Sequence, residues 1–241
     1  MELVEGRNPV LEALKAGRVQ RIYIAQGSKD SGLQEILTLA REQRIPVVHQ
    51  EKEILAERAV TEAYQGIIAE AKPIPTYTVD QWLAKFSERQ DLVVLVLDEL
   101  TDPRNFGSLL RTADAAGVDG CIIPERRGVG ITPIVEKASA GAAQYVPVIV
   151  APNIVRVLDQ LKSAGFWVYG AAAEADTQLY SGIDFSGRVA LVIGSEGKGL
   201  RKLVREHCDL LVSIPMQGNI QSLNAGVAGA LFMYEVLRSR L

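Results

Sequence analysis

Residues 92–97, LVVLVL, form an uninterrupted apolar run that ends at Asp98. A strand can be apolar on both faces only when other layers cover both faces, which is typical of the parallel sheets of α/β folds. From this run to the C-terminus, short apolar segments alternate with segments in which apolar residues recur every three or four positions. The sequence therefore predicts a parallel sheet with helices on both sides over residues 91–241.

The elements of this module follow from the same alternation. After the first strand, the predicted strands are CIIP, YVPVIV, WVYGAAA, RVALVIG and LLVSIPM. The predicted helices span residues 104–116, 133–140, 153–164, 199–207 and 222–238.

A second, smaller module precedes it. Residues 1–72 also alternate short helices and strands, and they are numerous enough for an α/β module of their own. Pro73 and Pro75 in the segment KPIPTYT interrupt both kinds of element. Residues 73–90 are therefore predicted to be a linker and a short amphipathic helix.

Composition narrows the class of function. A net charge of −3 counts against a protein that binds polyanions over its whole surface, but it allows a local basic patch. The two cysteines, Cys121 and Cys208, are not spaced like zinc ligands, and the chain has only two histidines. We therefore expect no metal site. No apolar run reaches the length of a membrane span, and the N-terminus has no signal-peptide core, so the cytosol is the expected compartment.

The segment DPRNFGSLLRTADAAGV contains the first cluster of candidate residues. It predicts a helix with Asp102 as its cap and Pro103 in its first turn. Arg111 lies off the apolar face, among residues too small to cover it. Its guanidinium either pairs with Asp114 or has no partner in the protein. The donors of a guanidinium without a partner match phosphate best among possible ligands. Asn105 is either a first-turn cap or a polar group for a ligand.

Three further arginines lie near this cluster in the predicted fold. Arg104, Arg126 and Arg127 either line a basic groove or are simply solvated.

The segment LVIGSEGKGLR is the second cluster, in which an apolar strand runs into a glycine-rich turn and then a helix. Glycines let a ligand approach the backbone closely, and a helix N-terminus offers free N–H groups. The spacing G-x-x-G-x-G differs from that of dinucleotide-binding sites, which disfavours a nicotinamide cofactor. Glu196 in the turn can bind a donor or orient an arginine.

The segment SIPMQGNIQSLNAGVAGALFMYE is the third cluster. It predicts a strand that ends at Pro215, a polar loop, and a helix that begins near Ser222. Gly226 and Gly229 each cost roughly 1 kcal/mol relative to alanine inside a helix. The helix is either a plain core helix, or its glycines allow the close approach of another helix or of a second subunit.

Taken in order, these clusters resemble the three motifs of the SpoU (TrmH) class of RNA ribose 2'-O-methyltransferases, within the SPOUT superfamily. The matches are N-x-G-x-x-x-R-T-A at Asn105–Ala113, I-G-S-E-G-x-G at Ile193–Gly199, and I-P-M with S-L-N across Ile214–Asn224. The segment Val135–Ala142, V-x-K-A-S-A-G-A, strengthens the resemblance.

The N-terminal half adds to this likeness. Two segments resemble the L30e-like substrate-binding domain that is carried by members that methylate a guanosine of 23S rRNA. They are E-G-R-N-P-V-L-E-A-L (Glu5–Leu14) and Y-Q-G-I-I-A (Tyr64–Ala69).

The resemblance implies a fold and a cofactor. Residues 91–241 would form a SPOUT α/β knot, a trefoil knot, preceded by an L30e-like α/β domain over residues 1–72. S-adenosylmethionine would bind in the knot, and the enzyme would act as a homodimer through its C-terminal domain. By position, the contacts to the cofactor would come from five residues: Ala171, Gly194, Ile214, Met216 and Leu223.

The resemblance and the chemistry together suggest roles for the polar residues. Arg111 would hold the phosphate or the 2'-oxygen of the target nucleotide, with Asn105 and Glu196 positioning it and the ribose. Ser222 and Asn224 would hold the loop and the cofactor pocket. A phosphate, a water molecule or Glu196 would accept the proton, because arginine stays protonated in proteins.

The expected substrate is a specific guanosine in 23S rRNA. The alternatives are a tRNA or another rRNA site for the same reaction, and a non-catalytic RNA-binding assembly factor. A nicotinamide oxidoreductase is the least favoured.

Overall fold

The computed structural model describes residues 1–28, 31–173, 177–220 and 222–241. These residues form two compact units. The N-terminal unit consists of residues 1–75 and 131–145, and the C-terminal unit of residues 76–130 and 146–241.

Helices and strands alternate along most of the chain. Residues 1–75 contain β1 (Glu2–Glu5), α1 (Arg7–Lys15), β2 (Val19–Ala25), α2 (Gln34–Glu42), β3 (Val47–Gln50), α3 (Lys52–Arg58) and β4 (Ile67–Ala71). Residues 76–145 contain β5 (Thr76–Tyr77), α4 (Val79–Lys85), β6 (Leu92–Asp98), α5 (Pro103–Ala115), β7 (Gly120–Pro124) and α6 (Pro133–Ala138). Residues 146–241 contain β8 (Val148–Ala151), α7 (Ile154–Ser163), β9 (Phe166–Ala171), β10 (Gln178–Leu179), β11 (Arg188–Gly194), α8 (Lys202–Glu206), β12 (Leu210–Ser213) and α9 (Ala225–Ser239).

The N-terminal unit is built on a four-stranded sheet in the order β1-β4-β2-β3. β4 runs antiparallel to both of its neighbours, and β3 runs parallel to β2. Apolar side chains of α1 and α2, such as Val10 and Ile36, pack on Ile22 and Ile67 of the sheet to form its core. The alternation of short helices and strands in this unit is the one that the sequence predicted.

Residues 131–145 belong to the N-terminal unit, although the sequence assigned them to the C-terminal module. Their helix α6 carries Glu136, which is 1% exposed and pairs with the Arg18 guanidinium at 3.1 Å. Nζ of the next residue, Lys137, donates to Oγ1 of Thr61 at 2.6 Å. These partners lie 118 and 76 positions away in the chain, so the local pattern of residues 133–140 could not show them.

The C-terminal unit is built on an eight-stranded sheet in the order β10-β12-β9-β11-β6-β7-β8-β5. Every pairing in it is parallel, as the sequence predicted. All seven residues of β6 are buried, which explains the uninterrupted apolar run. The edge strands β5 and β10 were not predicted, because two residues leave no periodic signal.

Helices cover both faces of this sheet. Alternate residues of β6 and β11, including Val94 and Ala190, share a core cluster with Leu158 of α7 and Trp82 of α4. Since neighbouring residues of a strand point to opposite faces, Ile193 lies on the other face, where α9 packs. In the described residues, no helix is long and apolar enough to cross a membrane.

Candidate active site

The first cluster folds into α5 as predicted. The Asp102 side chain accepts a hydrogen bond from the Arg104 amide at 2.8 Å, and Pro103 occupies the first turn. Phe106 and Leu109 on the apolar face are fully buried. Asn105 is also buried, at 8% exposed, so its amide is held at the start of the helix rather than in solvent.

Asn105, Glu196 and Asn224 form one hydrogen-bonded group. Nδ2 of Asn105 donates to Oε1 of Glu196 at 2.7 Å. Nδ2 of Asn224 donates to Oδ1 of Asn105 at 3.0 Å and also to Oε1 of Glu196. Each residue comes from a different one of the three clusters, so the fold brings all three clusters to one point.

The helix α9 begins at Ala225, and the predicted start near Ser222 is wrong. Asn224 is the cap, because its Oδ1 accepts hydrogen bonds from the amides of Gly226 at 2.9 Å and Val227 at 3.3 Å. Asparagine is as good a cap as serine. The single side chain of Asn224 thus caps α9 with its oxygen and holds Glu196 with its nitrogen.

The two glycines of α9 have a partner within the same chain. A Cβ on Gly229 would overlap the Leu109 side chain of α5, and one on Gly226 would lie 3.6 Å from Oγ of Ser108. The predicted close approach is therefore that of α5, and the glycines let the two helices that carry Asn105 and Asn224 come together.

The glycine turn after β11 is a tight hairpin. Ser195 and Gly199 exchange two backbone hydrogen bonds of 3.2 and 3.0 Å, and Gly197 has a φ of 77°. The helix predicted over residues 199–207 is present as α8, but its predicted start is wrong, because Gly199 has a φ of 64° and α8 begins only at Lys202. A ligand at this turn would therefore meet loop backbone and not a helix N-terminus.

A cleft of about 630 Å³ opens at the carboxyl ends of β9, β11 and β12, and we call it the Gly194 cleft. Seven of the candidate residues line it, including all five expected cofactor contacts: Ala171, Gly194, Glu196, Ile214, Met216, Ser222 and Leu223. Small residues and backbone form one side, where a Cβ on Gly194 would overlap the backbone of Gly199. Asn105 and Asn224 reach this cleft through Glu196.

Several residues of the Gly194 cleft were missed by the sequence. Lys198 and Arg205 line it, although neither was among the candidate residues. Ile220 and Phe232 also contribute apolar surface. Their only sequence signal is position, since each follows or flanks one of the three motifs.

Arg111 is exposed on α5, on the same face as Arg104 and Ser108. Within the described residues its guanidinium has no hydrogen-bond or ion-pair partner, so the alternative of an ion pair with Asp114 is not present. Arg111 is not among the residues that line the Gly194 cleft.

Among the residues that the structure describes, neither the Arg111 cation nor the Glu196 carboxylate has an opposite charge beside it. Oε1 of Glu196 accepts from neutral amides alone, and no cation lies within ion-pair distance of it in the described ranges. The same ranges contain no cluster of side chains that could hold a metal ion.

Known proteins resemble the chain over nearly its whole length. Residues 92–234 match the SpoU rRNA Methylase family, and residues 3–77 match the family described as RNA 2'-O ribose methyltransferase substrate binding. A protein of Staphylococcus aureus (strain COL) assigned to the TrmH family of tRNA/rRNA methyltransferases is 44% identical over 240 residues, which is 99% of this chain and 96% of that protein.

Solved structures agree with this likeness. A crystal structure of an RNA 2'-O ribose methyltransferase superposes with a TM-score of 0.84 at 28% identity, covering 99% of this chain and 88% of that one. The SpoU methyltransferase AviRb of Streptomyces viridochromogenes, in complex with the cofactor AdoMet, gives 0.82 at 26% identity, covering 99% and 90%. The α/β fold with an N-terminal substrate-binding domain is thereby confirmed, and the chain belongs to the SpoU rRNA methylase family of RNA methyltransferases.

Proposed function

We propose that the protein transfers a methyl group from S-adenosylmethionine to the ribose 2'-hydroxyl of a specific guanosine in 23S rRNA. The observation that carries this proposal is the hydrogen-bonded group of Asn105, Glu196 and Asn224 at the rim of the Gly194 cleft. It joins a cleft that suits a small molecule to the helix of Arg111, an arginine that is unpaired within the described part of the chain.

The Gly194 cleft fits the cofactor in size and chemistry. A volume of about 630 Å³ lies within the range of small-molecule sites, and the lining combines apolar side chains with exposed loop backbone. Ile214, Met216 and Leu223 would contact the adenosine, and the small residues Ala171 and Gly194 leave room beside them. When bound, S-adenosylmethionine would supply a methyl group activated by its sulfonium, with a neutral thioether as the leaving group.

Arg111 would bind the RNA next to this cleft. A guanidinium with no protein partner keeps its donors for an incoming phosphate or ribose oxygen. Glu196 and Asn105 would orient the ribose, since a displacement requires the attacking oxygen within about 3–3.5 Å of the methyl carbon. Asn224 and Ser222 would hold the loop and the cofactor pocket.

The 2'-hydroxyl must also lose a proton. Arg111 is a poor acceptor because guanidinium remains protonated in proteins. Oε2 of Glu196 has no partner in the described residues, so this oxygen is free to accept a proton directly or through water. A phosphate of the RNA is the other acceptor that the site offers.

The choice of 23S rRNA rests on the N-terminal unit. Its match to a substrate-binding family indicates that it contacts the RNA. The TrmH-family relatives are named for both tRNA and rRNA, so tRNA is the main competitor.

A homodimer is part of this proposal. The face of α9 that turns away from α5 carries Val227, Leu231 and Tyr234, which are 49%, 38% and 50% exposed. Residues at this spacing form one apolar stripe, and large exposed apolar patches mark interaction sites.

Changing Tyr234 to glutamate should therefore convert a dimer to a monomer in sedimentation experiments. The exposed Ile54 of α3, changed to glutamate, is the matched control and should leave the dimer intact. A wild-type protein that sediments as a monomer would contradict the dimer.

Incubation with radiolabelled S-adenosylmethionine and transcribed, unmodified 23S rRNA tests the reaction. We expect label at one guanosine, in a dinucleotide that resists alkaline hydrolysis because its 2'-oxygen is blocked. Label in transcribed tRNA alone would reassign the substrate. RNA binding without any transfer would identify an assembly factor, and binding of NAD in place of S-adenosylmethionine would refute the methyltransferase.

A further inference from the structure

A second cleft, of about 550 Å³, opens at the carboxyl ends of β6, β7 and β8. Four cationic side chains line it, and we call it the basic cleft: Arg126, Arg127, Arg201 and Lys202. Among its described lining residues, Glu99 is the one acid. This part of the sheet edge thus carries excess positive charge in a protein whose net charge is negative.

One of these cations, Arg201, is held by a buried acid, and Arg127 makes only a long, exposed ion pair. Asp98 is fully buried and holds Arg201 through Nε and Nη2 at 2.7 and 2.6 Å, which raises the pKa of Arg201. Oε1 of Glu99 lies 3.3 Å from Nη1 of Arg201 and 3.6 Å from Nη1 of Arg127. A single carboxylate therefore gathers two guanidinium groups at the rim of the cleft.

The other two cations are available. The side chain of Lys202 is 88% exposed, and its nearest acid, Glu206, is 3.9 Å away. Arg126 is exposed and has no partner in the described part of the chain. Both side chains can turn toward a ligand without breaking a contact that holds the fold.

The floor of the basic cleft is apolar, with Pro124, Pro152 and Ile154 beneath the cations and Leu203 at 61% exposed. Flat apolar surface next to guanidinium groups suits an unstacked nucleobase, and the cations suit its phosphate. The first turn of α7 lies at the same cleft and adds the partial positive charge of a helix N-terminus. A nucleotide matches both parts of this lining better than a free anion does.

The basic cleft adjoins the Gly194 cleft. The chain leaves β11 through the glycine turn, where Glu196 lines the first cleft, and reaches Arg201 and Lys202 in the second. β11 and β6 are neighbours, and neighbouring strands lie about 4.8 Å apart. The ends of β6, β7 and β8 are therefore roughly 5–15 Å along the edge from the end of β11.

We propose that the basic cleft binds a nucleotide of the RNA strand close to the one that is methylated, with its base on the apolar floor and its phosphate on Arg126 and Lys202. This inference rests on the proposed function. It explains why a protein with a net charge of −3 concentrates cations beside the candidate active site.

The test compares Arg126→Glu and Lys202→Glu with Lys85→Glu. Lys85 is an exposed cation at the end of α4, so its reversal changes the net charge equally outside either cleft. Affinity for transcribed 23S rRNA and for transcribed tRNA is measured without S-adenosylmethionine, as a function of salt. We expect each cleft variant to lose affinity on the order of tenfold, the effect of one charge-assisted hydrogen bond. The salt slope should become less negative by about 0.7 per lost phosphate contact.

S-adenosylmethionine binding and thermal unfolding should stay at wild-type values in all three variants, which separates this cleft from the Gly194 cleft. An equal loss in Lys85→Glu would show a diffuse charge effect and overturn the proposal. Unchanged affinity in Arg126→Glu and Lys202→Glu would overturn it as well, as would a wild-type protein that binds neither RNA. If the wild-type protein transfers no methyl group but only the two cleft variants lose RNA affinity, the proposed methyltransferase activity is refuted. The proposal that the basic cleft binds RNA then still stands.

Discussion

Glu136 in the N-terminal unit and Glu196 in the C-terminal unit are both held by side-chain donors, but only Glu136 is neutralised. Glu136 is buried against the Arg18 guanidinium. Glu196 is held by two neutral amides in an open cleft. The arginines differ in the same way, since Arg18 is 6% exposed and paired whereas Arg111 is exposed and, among the described residues, unpaired. Removing one partner of a charge pair inside the fold leaves a buried charge without a partner, whereas exposed charges with no partner are available to a ligand.

The largest expected effect comes from breaking the matched pair. Arg18→Met should destabilise the N-terminal unit by about 3–5 kcal/mol, because it leaves the Glu136 charge buried without a partner. The loss should appear as faster hydrogen exchange in β2 and β4, with exchange in β6 unchanged. Lys15→Met, which removes partly exposed pairs with Glu12 and Glu35, should cost less than about 1 kcal/mol.

The pH dependence of this loss has a definite sign. Burial raises the pKa of Glu136, and Arg18 acts in the opposite direction. Removing Arg18 raises the folded-state pKa further, so Glu136 favours folding below its unfolded pKa of about 4.3 and opposes it increasingly above. The difference between wild type and Arg18→Met should therefore shrink as the pH falls from 7 toward 4.3. A difference that grows on acidification would contradict a charged Glu136.

A smaller effect is expected from filling the turn beside Glu196. In Gly194→Ala the new methyl meets the backbone of Gly199, which no rotamer change can relieve. Overpacking of this kind costs about 1–3 kcal/mol, so S-adenosylmethionine affinity should fall about tenfold or more in calorimetric titrations. Gly130→Ala meets open space and is the matched control. Equal cofactor affinity in both variants would show that the glycine turn is not part of the cofactor site.

The smallest change in stability is expected at Asn224. Asn224→Ala removes the cap of α9 and should cost about 1 kcal/mol, like Thr78→Ala at the cap of α4. Only the first variant also releases Glu196, so methyl transfer should fall in Asn224→Ala and stay at the wild-type rate in Thr78→Ala. Equal rates in the two variants would show that Asn224 is merely a cap.

The sequence predicted the elements whose partners are local or periodic. The apolar run of β6, the cap of α5 at Asp102 and the parallel sheet follow from hydropathy and from helix-start residues. Seven of the residues that line the Gly194 cleft were found through motifs, because the carboxyl ends of parallel strands meet at one edge.

Other features depend on partners distant in the chain. Nothing near Glu136 indicates Arg18, 118 positions away, so the place of α6 in the N-terminal unit could not be predicted. The start of α9 was misplaced because Ser222 and Asn224 are equally good caps, and the contact with Asn105 decides between them. The trefoil knot remains a prediction from the resemblance, because hydropathy patterns carry no information on threading.

Arg111 tests the central claim, that an unmatched charge beside the Gly194 cleft serves the reaction. The measurement is the methyl-transfer rate to RNA in Arg111→Ala, together with the calorimetric affinity for S-adenosylmethionine. We expect the rate to fall on the order of 10²–10³, the effect of losing one group that stabilises charge in a transition state, with cofactor affinity unchanged. A wild-type rate, or a parallel loss of cofactor binding, would contradict the account.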